Sequence, residues 1–309
     1  MKLLAEYGRA DLASVYVGET IKGNIVEFVQ SLQPPLPRSE KWVLIVSTMN
    51  GCPVGCKMCD AGGFYKGKLT AEEILDQIDF LVTRFFPDGI VRTKKFKVQF
   101  ARVGEPALND SVLVALELLS KYDNLLPSIS TIAPIGRDEF FEELVRVKNR
   151  HYKGRFQLQF SVHSTDERQR DELMPVKKWG LERIAEFGEE FVRDGDRKIT
   201  LNFALSRDAI VEAERIVKLF SPEKFLIKIT PVNPTYSAIK NNIVSDVDVS
   251  SGMPQSHEDF VEDLRKHGFE VILSVGELEE NNIGSNCGQY VSKHLNSPMK
   301  LKDAYIYVV

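Results

Sequence analysis

Three of the four cysteines in this 309-residue chain, Cys52, Cys56 and Cys59, stand within one eight-residue run, CPVGCKMC. Thiolates are metal ligands, and three on one short loop can hold three irons of a cubane cluster while leaving the fourth iron open to a substrate or cofactor. A structural zinc ion is the competing reading. Such a site normally takes four protein ligands, however, and no histidine stands close enough in sequence to complete a set. The fourth cysteine, Cys287, is remote. Cysteines grouped so locally do not make a disulfide framework, which needs partners spread across a fold.

Other residues able to do chemistry are spread along the chain. Gly104-Glu105-Pro106 ends an apolar run in FKVQFARVGEPALND, and a carboxylate at the carboxyl end of a strand can receive a protonated amine. Taken alone, a Glu-Pro pair often does no more than begin a helix. His163, in SVHSTDERQRDELMPV, is either a site residue or a core histidine donating to a carbonyl. Asn233 precedes Pro234, a common turn arrangement. Cys287 is flanked by small and polar residues in IGSNCGQY, which favours an accessible thiol over an inert core one. Glu27, in Val26-Glu27-Phe28-Val29, reads by itself as an exposed strand carboxylate.

These residues need a scaffold that brings distant positions to one place. Strand signals at 42–47, 96–103, 128–132, 156–162, 199–205 and 225–229 alternate with helical patterns. That alternation is the mark of a parallel sheet covered by helices. Thr70 and Glu73 form a capping box ahead of Ile74, Ile78, Leu81, Val82 and Phe85 at helical spacing, and Pro87 stops the run. A later helix is expected from Ser256 to Gly268, with a strand at 269–275 after it. Six β/α units are fewer than the eight of a closed barrel, so the expected fold is α/β, a partial (β/α)6 barrel with functional loops at the carboxyl ends of its strands. Residues 1–40 read as an N-terminal β extension, a strand pair and a proline-rich connector, and residues 41–309 as the core barrel with its cysteine-bearing C-terminal segment. The stretch 235–255, rich in Ser, Asn and Asp, reads as the mobile loop of the chain.

Charged residues make up 27% and hydrophobic residues 43% of the sequence, which excludes a disordered chain. The net charge of -4 offers no global field for polyphosphate and speaks against a dedicated nucleic-acid binder. No window carries eighteen consecutive apolar residues, and Glu6, Arg9 and Asp11 interrupt any leader-like core, so a cytoplasmic protein is expected.

The cysteine spacing, three then two intervening residues directly after the first barrel strand, resembles the radical S-adenosylmethionine (radical SAM) superfamily. The resemblance narrows to its RlmN and Cfr class of RNA methyltransferases on a run of ordered motifs. These are Gly62-Gly63-Phe64 before LTAEEI, VQFARVGEPALN, Ser130-Thr131, SVHSTDERQRDELMPV, ITPVNP at 229–234 and NNIGSNCGQY at 281–290. It implies a radical SAM barrel whose 4Fe-4S cluster sits on Cys52, Cys56 and Cys59 and whose open iron chelates SAM, which is cleaved to a 5'-deoxyadenosyl radical. It implies SAM contacts from Gly104, Glu105, Ser130, Ser161, Val162, His163 and Asn233. Cys287 would carry a methyl group to the substrate, Glu27 would accept a proton, RNA would be the substrate class, and a flavodoxin or ferredoxin would supply electrons.

Three departures accompany the likeness. Met58 stands where an aromatic residue commonly precedes the last cysteine. Barely forty residues precede the barrel, where the larger members carry a separate RNA-contacting domain. Ile45, seven residues before Cys52, replaces the second cysteine that in this class releases the methylated product as a disulfide forms. The leading expectation is methyl or methylene transfer to an unreactive carbon through Cys287. An alternative, favoured by Ile45, has the radical take hydrogen directly from a non-RNA substrate. A non-catalytic cluster-binding or sensing protein is the third reading, and the full set of SAM residues speaks against it.

Overall fold

The computed structural model describes residues 1–276, 280 and 283–285; Cys287 lies outside the described residues. Strands β1 (Lys2–Arg9), β2 (Ala13–Glu19) and β3 (Ile25–Ser31) form an antiparallel meander, and β3 pairs antiparallel with β4 (Lys41–Val46). The expected N-terminal strand pair is therefore three strands. Gly8 and the β-bulge between Leu3 and Ala5 break the alternation by which β1 could be read.

From β4 onward the pairing within the main sheet is parallel. A small hairpin, β5 (Met49–Gly51) with β6 (Tyr65–Lys68), brackets the cysteine loop, and α1 (Ala71–Phe85) leads back to β7 (Lys95–Phe100). Helix α2 (Ser111–Leu119), β8 (Leu125–Thr131), α3 (Asp138–His151), β9 (Gln157–Ser161), α4 (Glu167–Leu173), α5 (Leu181–Phe191) and β10 (Ile199–Leu205) continue the alternation. It ends with α6 (Ala213–Leu219), β11 (Phe225–Pro231), α7 (Tyr236–Lys240), α8 (Glu258–Lys266) and β12 (Val271–Leu273). The sheet order is β1-β2-β3-β4-β7-β8-β9-β10-β11-β12. Six β/α units thus lead from β4 to a seventh parallel strand, β12, as the alternating pattern predicts.

Side-chain alternation assigns the two faces. Trp42, Leu44 and Val46 of β4 are fully buried against the helices, where Trp42 stacks on Phe96 at 5.4 Å and meets Phe85 edge-on at 5.7 Å. Lys41, Val43 and Ile45 then face the other way, as do Lys97 and Gln99 of β7, Ser130 of β8, Gln159 and Ser161 of β9, Asn202 of β10 and Lys228 of β11. The sheet curls around this polar face. One cleft is lined both by Ser31 and Val43 near one end of the sheet order and by Ile272 and Leu273 at the other, which makes the barrel partial and leaves a seam.

Two local expectations are corrected. The 235–255 stretch is bonded rather than loose. It contains α7, capped by Thr235, and the fully buried Asp246 accepts from Ser256 N (3.0 and 3.1 Å) and meets His257 Nδ1 at 2.9 Å. Because Ser256 serves Asp246, α8 begins at Glu258 and not at Ser256. No helix among the described residues is long and apolar enough to cross a membrane.

Candidate active site

The cysteine loop leaves β5 at Gly51 and is held from three sides. Cys52 N donates to Ala61 O (3.0 Å), and Lys57 N donates to Leu173 O at the end of α4 (2.9 Å). Thr235 Oγ1 and Asn241 Nδ2, flanking α7, donate to the carbonyls of Met58 and Lys57, each at 2.9 Å. Asp60 accepts from the first amides of α7, Tyr236 N at 3.2 Å and Ser237 N at 2.8 Å. A Cβ on Gly62 would lie 2.8 Å from Gly55 Cα, so the loop closes only with glycine at 62. Cys52, Cys56 and Met58 pack on an apolar wall of Val54, Ile132, Leu173 and Met174.

Burial pushes the Cys52 thiol up, with the Glu105 carboxylate adding to the effect, and pushes Cys56 up to about 12. The desolvated thiols of Cys52 and Cys56 become thiolates only beside a cation. Their donor chemistry fits an iron-sulfur group. Among the described residues, no three His, Cys, Asp or Glu side chains gather closely enough to hold a single metal ion.

Beside this loop stands the Gly104-Glu105 turn that follows β7. Gly104 has φ +105°, and a Cβ there would lie 2.7 Å from Met49 Cβ and Thr48 Oγ1, so the backbone approaches the hairpin as only glycine permits. Glu105 is 5% exposed. Its carboxylate accepts from Ala107 N and Ile132 N, each at 3.0 Å, and from Thr131 Oγ1. Burial nevertheless raises it to about 7, against the pull of those three donors. Glu105 therefore joins the 3-10 turn after β7 to the end of β8, and Oε2, which accepts from Ile132 N, keeps a lone pair for a further donor.

The other expected SAM residues gather at the same ends of the strands. Ser130 Oγ accepts from Gln159 Nε2 at 3.2 Å, and Val162 N donates to Asn202 O at 2.9 Å. Ser161 ends β9, and Asn233 follows β11, its carbonyl accepting from Thr235 N at 2.7 Å. His163 sits in the left-handed region at φ +64°, with Nδ1 accepting from Ala204 N at 3.0 Å. Desolvation, with a smaller contribution from Arg170, holds it down at about 4, so the ring is neutral at pH 7 and carries its proton on Nε2.

Glu27 is fully buried, not an exposed strand carboxylate. Its Oε1 lies 2.9 Å from Arg102 Nε, and the Arg102 side chain is 1% exposed. Arg102 Nη1 also donates to Ser285 O at 2.6 Å. Residue 285 belongs to a turn in which Gly284 N and Ser285 N donate to Glu280 O, and Ser31 Oγ of β3 holds Glu280 Oε1 at 2.7 Å. The chain two residues before Cys287 is thus fastened to β3 and to the end of β7. Ile45 pairs with Val29 across the β3–β4 ladder and packs with Ile283 against Tyr7, Val15, Val17 and Val29. Arg102 escapes the motif reading. An arginine between the apolar Ala101 and Val103, two residues before Gly104, was the available signal.

A partial β/α barrel with a three-cysteine loop, a glycine-glutamate turn and polar strand ends at one mouth defines a radical SAM enzyme. No family model matches the chain. The chain is 30% identical over 265 residues to a probable dual-specificity RNA methyltransferase RlmN of Desulfitobacterium hafniense (strain DSM 10664 / DCB-2), covering 81% of this chain and 67% of that one. It is 27% identical over 283 residues to a protein of the same description from Heliobacterium modesticaldum, covering 85% and 67%. The crystal structure of a radical SAM methyltransferase from Sphaerobacter thermophilus shares its fold, with a TM-score of 0.71 at 20% identity over 93% of this chain and 80% of that one. The chain belongs to the RlmN-type radical SAM methyltransferases, and it is an enzyme.

Proposed function

We propose that this enzyme transfers a methyl or methylene-derived carbon from SAM to an unreactive carbon, an RNA adenosine being the substrate that its relatives' descriptions suggest, with Cys287 as the carrier. The observation that carries the reading is the bond from Arg102 to Ser285, which fastens the chain two residues before Cys287 at a point where Arg102 also meets Glu27. A 4Fe-4S cluster on Cys52, Cys56 and Cys59 would supply an open iron for the amino and carboxylate groups of SAM and the electron that cleaves it. Glu105, Ser130, Ser161, Val162, His163 and Asn233 would bind and orient SAM. Glu27 would accept the substrate proton, its charge balanced by Arg102.

A second reading keeps the cluster and SAM but removes hydrogen directly from a non-RNA substrate. Ile45 favours it, since no thiol stands on β4 to attack a substrate-linked Cys287 sulfur. Anaerobic incubation of reconstituted protein with methyl-labelled SAM, a flavodoxin or ferredoxin reductant and ribosomal RNA separates the two. Label in Cys287 supports methyl transfer. 5'-Deoxyadenosine formed while Cys287 stays unlabelled overturns it in favour of direct abstraction.

A further inference from the structure

The polar face of the sheet carries two cations, Lys97 and Lys228, that have no ion-pair partner among the described residues. Lys97 of β7 and Lys228 of β11 project from it between core positions that are fully buried on the helix side, Phe96 and Val98 around one, Ile227 and Ile229 around the other. Each lies within electrostatic reach of Lys41, and Lys97 of Lys95 and Arg197 as well. No ion pair or hydrogen bond of the Lys97 or Lys228 ammonium is found among the described residues. Among the described residues, Glu280 is the acidic group that bears on the cluster, and it acts on Lys41. Desolvation and this mutual repulsion bring Lys97 down to about 7. Opposite Lys228 in the β10–β11 register, Asn202 is 8% exposed, and its side-chain oxygen has no hydrogen-bond partner.

A half-buried cation with no counter-charge beside it is disfavoured, and two on one lumen also repel each other. The barrel seam adjoins both lysines through their register neighbours, and Glu280 also lines it. A cleft of about 680 Å³ opens there, lined by Lys41, by Val43, which is the register neighbour of Lys97, and by Ile272, which is the register neighbour of Lys228. We infer that the seam and lower lumen bind a small molecule through its phosphate group, with Lys97 and Lys228 as the charge partners, Lys41 at the entrance and Asn202 accepting from a hydroxyl of the ligand. Two or more unpaired ammonium groups match a dianion better than a single carboxylate. The site lies seven residues down β7 from Gly104, and it stands independently of the proposed methyl transfer.

The test uses the 309-residue protein with its cluster reconstituted but with neither SAM nor reductant added, so that no radical chemistry enters the readout. Inorganic phosphate is titrated against potassium chloride of equal ionic strength, with thermal unfolding as readout, and acetate serves as the carboxylate arm. The expected result is a saturable rise in melting temperature with phosphate and little with acetate. Lys97→Met and Lys228→Met should each weaken the phosphate midpoint about tenfold, as the loss of one charge-assisted contact implies, while raising the melting temperature in chloride alone. Lys97→Gln provides a second variant if Lys97→Met does not fold. A phosphate effect equal to that of chloride overturns the inference, as does one that survives in the double variant. A loss of stability in chloride on removing either lysine overturns it too, since the ammonium would then be neutralised by the chain's own carboxylates.

Discussion

Arg102 Nε and Glu27 Oε1 meet at 2.9 Å with both side chains withdrawn from water, joining the residue that follows β7 to the middle of β3. The approach is an ion pair without hydrogen-bond alignment, and guanidinium Nη1 donates to the Ser285 carbonyl. One buried cation thus ties an antiparallel strand, a barrel strand end and the segment leading to Cys287.

Removing one partner of a buried pair leaves the other charge uncompensated, at a cost of about 3–5 kcal/mol, whereas removing both can be close to neutral. Arg102→Met should therefore destabilise the protein by several kcal/mol in urea, and the double change Glu27→Gln with Arg102→Met should recover most of that loss. The single variant should also expose the chain around residue 285 to limited proteolysis. A loss below about 1 kcal/mol for Arg102→Met would mean that the pair is not desolvated as described.

Gly104 offers a sharper steric test. At φ +105°, with Met49 Cβ and Thr48 Oγ1 at 2.7 Å from an added Cβ, Gly104→Ala meets both backbone strain and a clash with a Met49 Cβ that only a backbone shift can relieve. Gly63 has φ +92° but nothing within 4 Å, so Gly63→Ala pays the backbone cost alone, about 1 kcal/mol. Gly104→Ala should cost at least about 2 kcal/mol more than that control and should weaken SAM binding in calorimetric titration. Equal melting temperatures for the two variants would refute the close approach.

The elements that position the site were legible because their signals are local. The capping box of Thr70 and Glu73 and the alternation of Trp42, Leu44 and Val46 against Lys41, Val43 and Ile45 depend only on neighbours in sequence. The mouth was legible too, since a parallel sheet places the residues after each strand at one end. The partners of the site residues were not. Glu27 reads as exposed until a cation 75 positions later is seen to bury with it, and Glu105 reads as a free carboxylate until Thr131 and the Ile132 amide arrive from the next strand. The 235–255 stretch has loop composition, yet Asp246 draws it in through bonds that composition does not reveal. Cys287, the proposed carrier, falls outside the described residues.

His163 supplies a pH prediction. Its folded pKa of about 4 lies below the ordinary value of 6.5, so the unfolded chain binds the proton more readily. Stability from this residue is complete above pH 6.5 and is lost as pH falls toward 4, by about 3 kcal/mol over that window. His163→Asn tolerates the left-handed backbone and can still accept from Ala204 N, but it does not titrate. Urea unfolding from pH 7 to pH 4 should show a shallower fall for this variant than for the wild type. Parallel curves would assign the acid sensitivity to other groups.

Ile45 decides how far the methyl-carrier reading extends. Its side chain leaves β4 on the face that also holds Glu27 and Val29, and it packs on the apolar cluster that Ile283 joins, close in sequence to Cys287. A product joined through the Cys287 sulfur is freed only when a second thiolate attacks that sulfur, and a branched alkyl group cannot do so. The wild-type protein should therefore transfer label from methyl-tritiated SAM to Cys287 and then stall as a protein–RNA adduct, or else turn over only when an external thiol is added. Ile45→Cys should restore release without added thiol, at a packing cost of about 1 kcal/mol for the lost alkyl contacts. Gel mobility of the labelled RNA with and without dithiothreitol follows both outcomes. Multiple turnovers by the wild-type protein in the absence of any external thiol would show that release does not require a thiol at position 45, and an Ile45→Cys protein that folds, labels Cys287 and still stalls would show that the β4 position lies out of reach of the adduct.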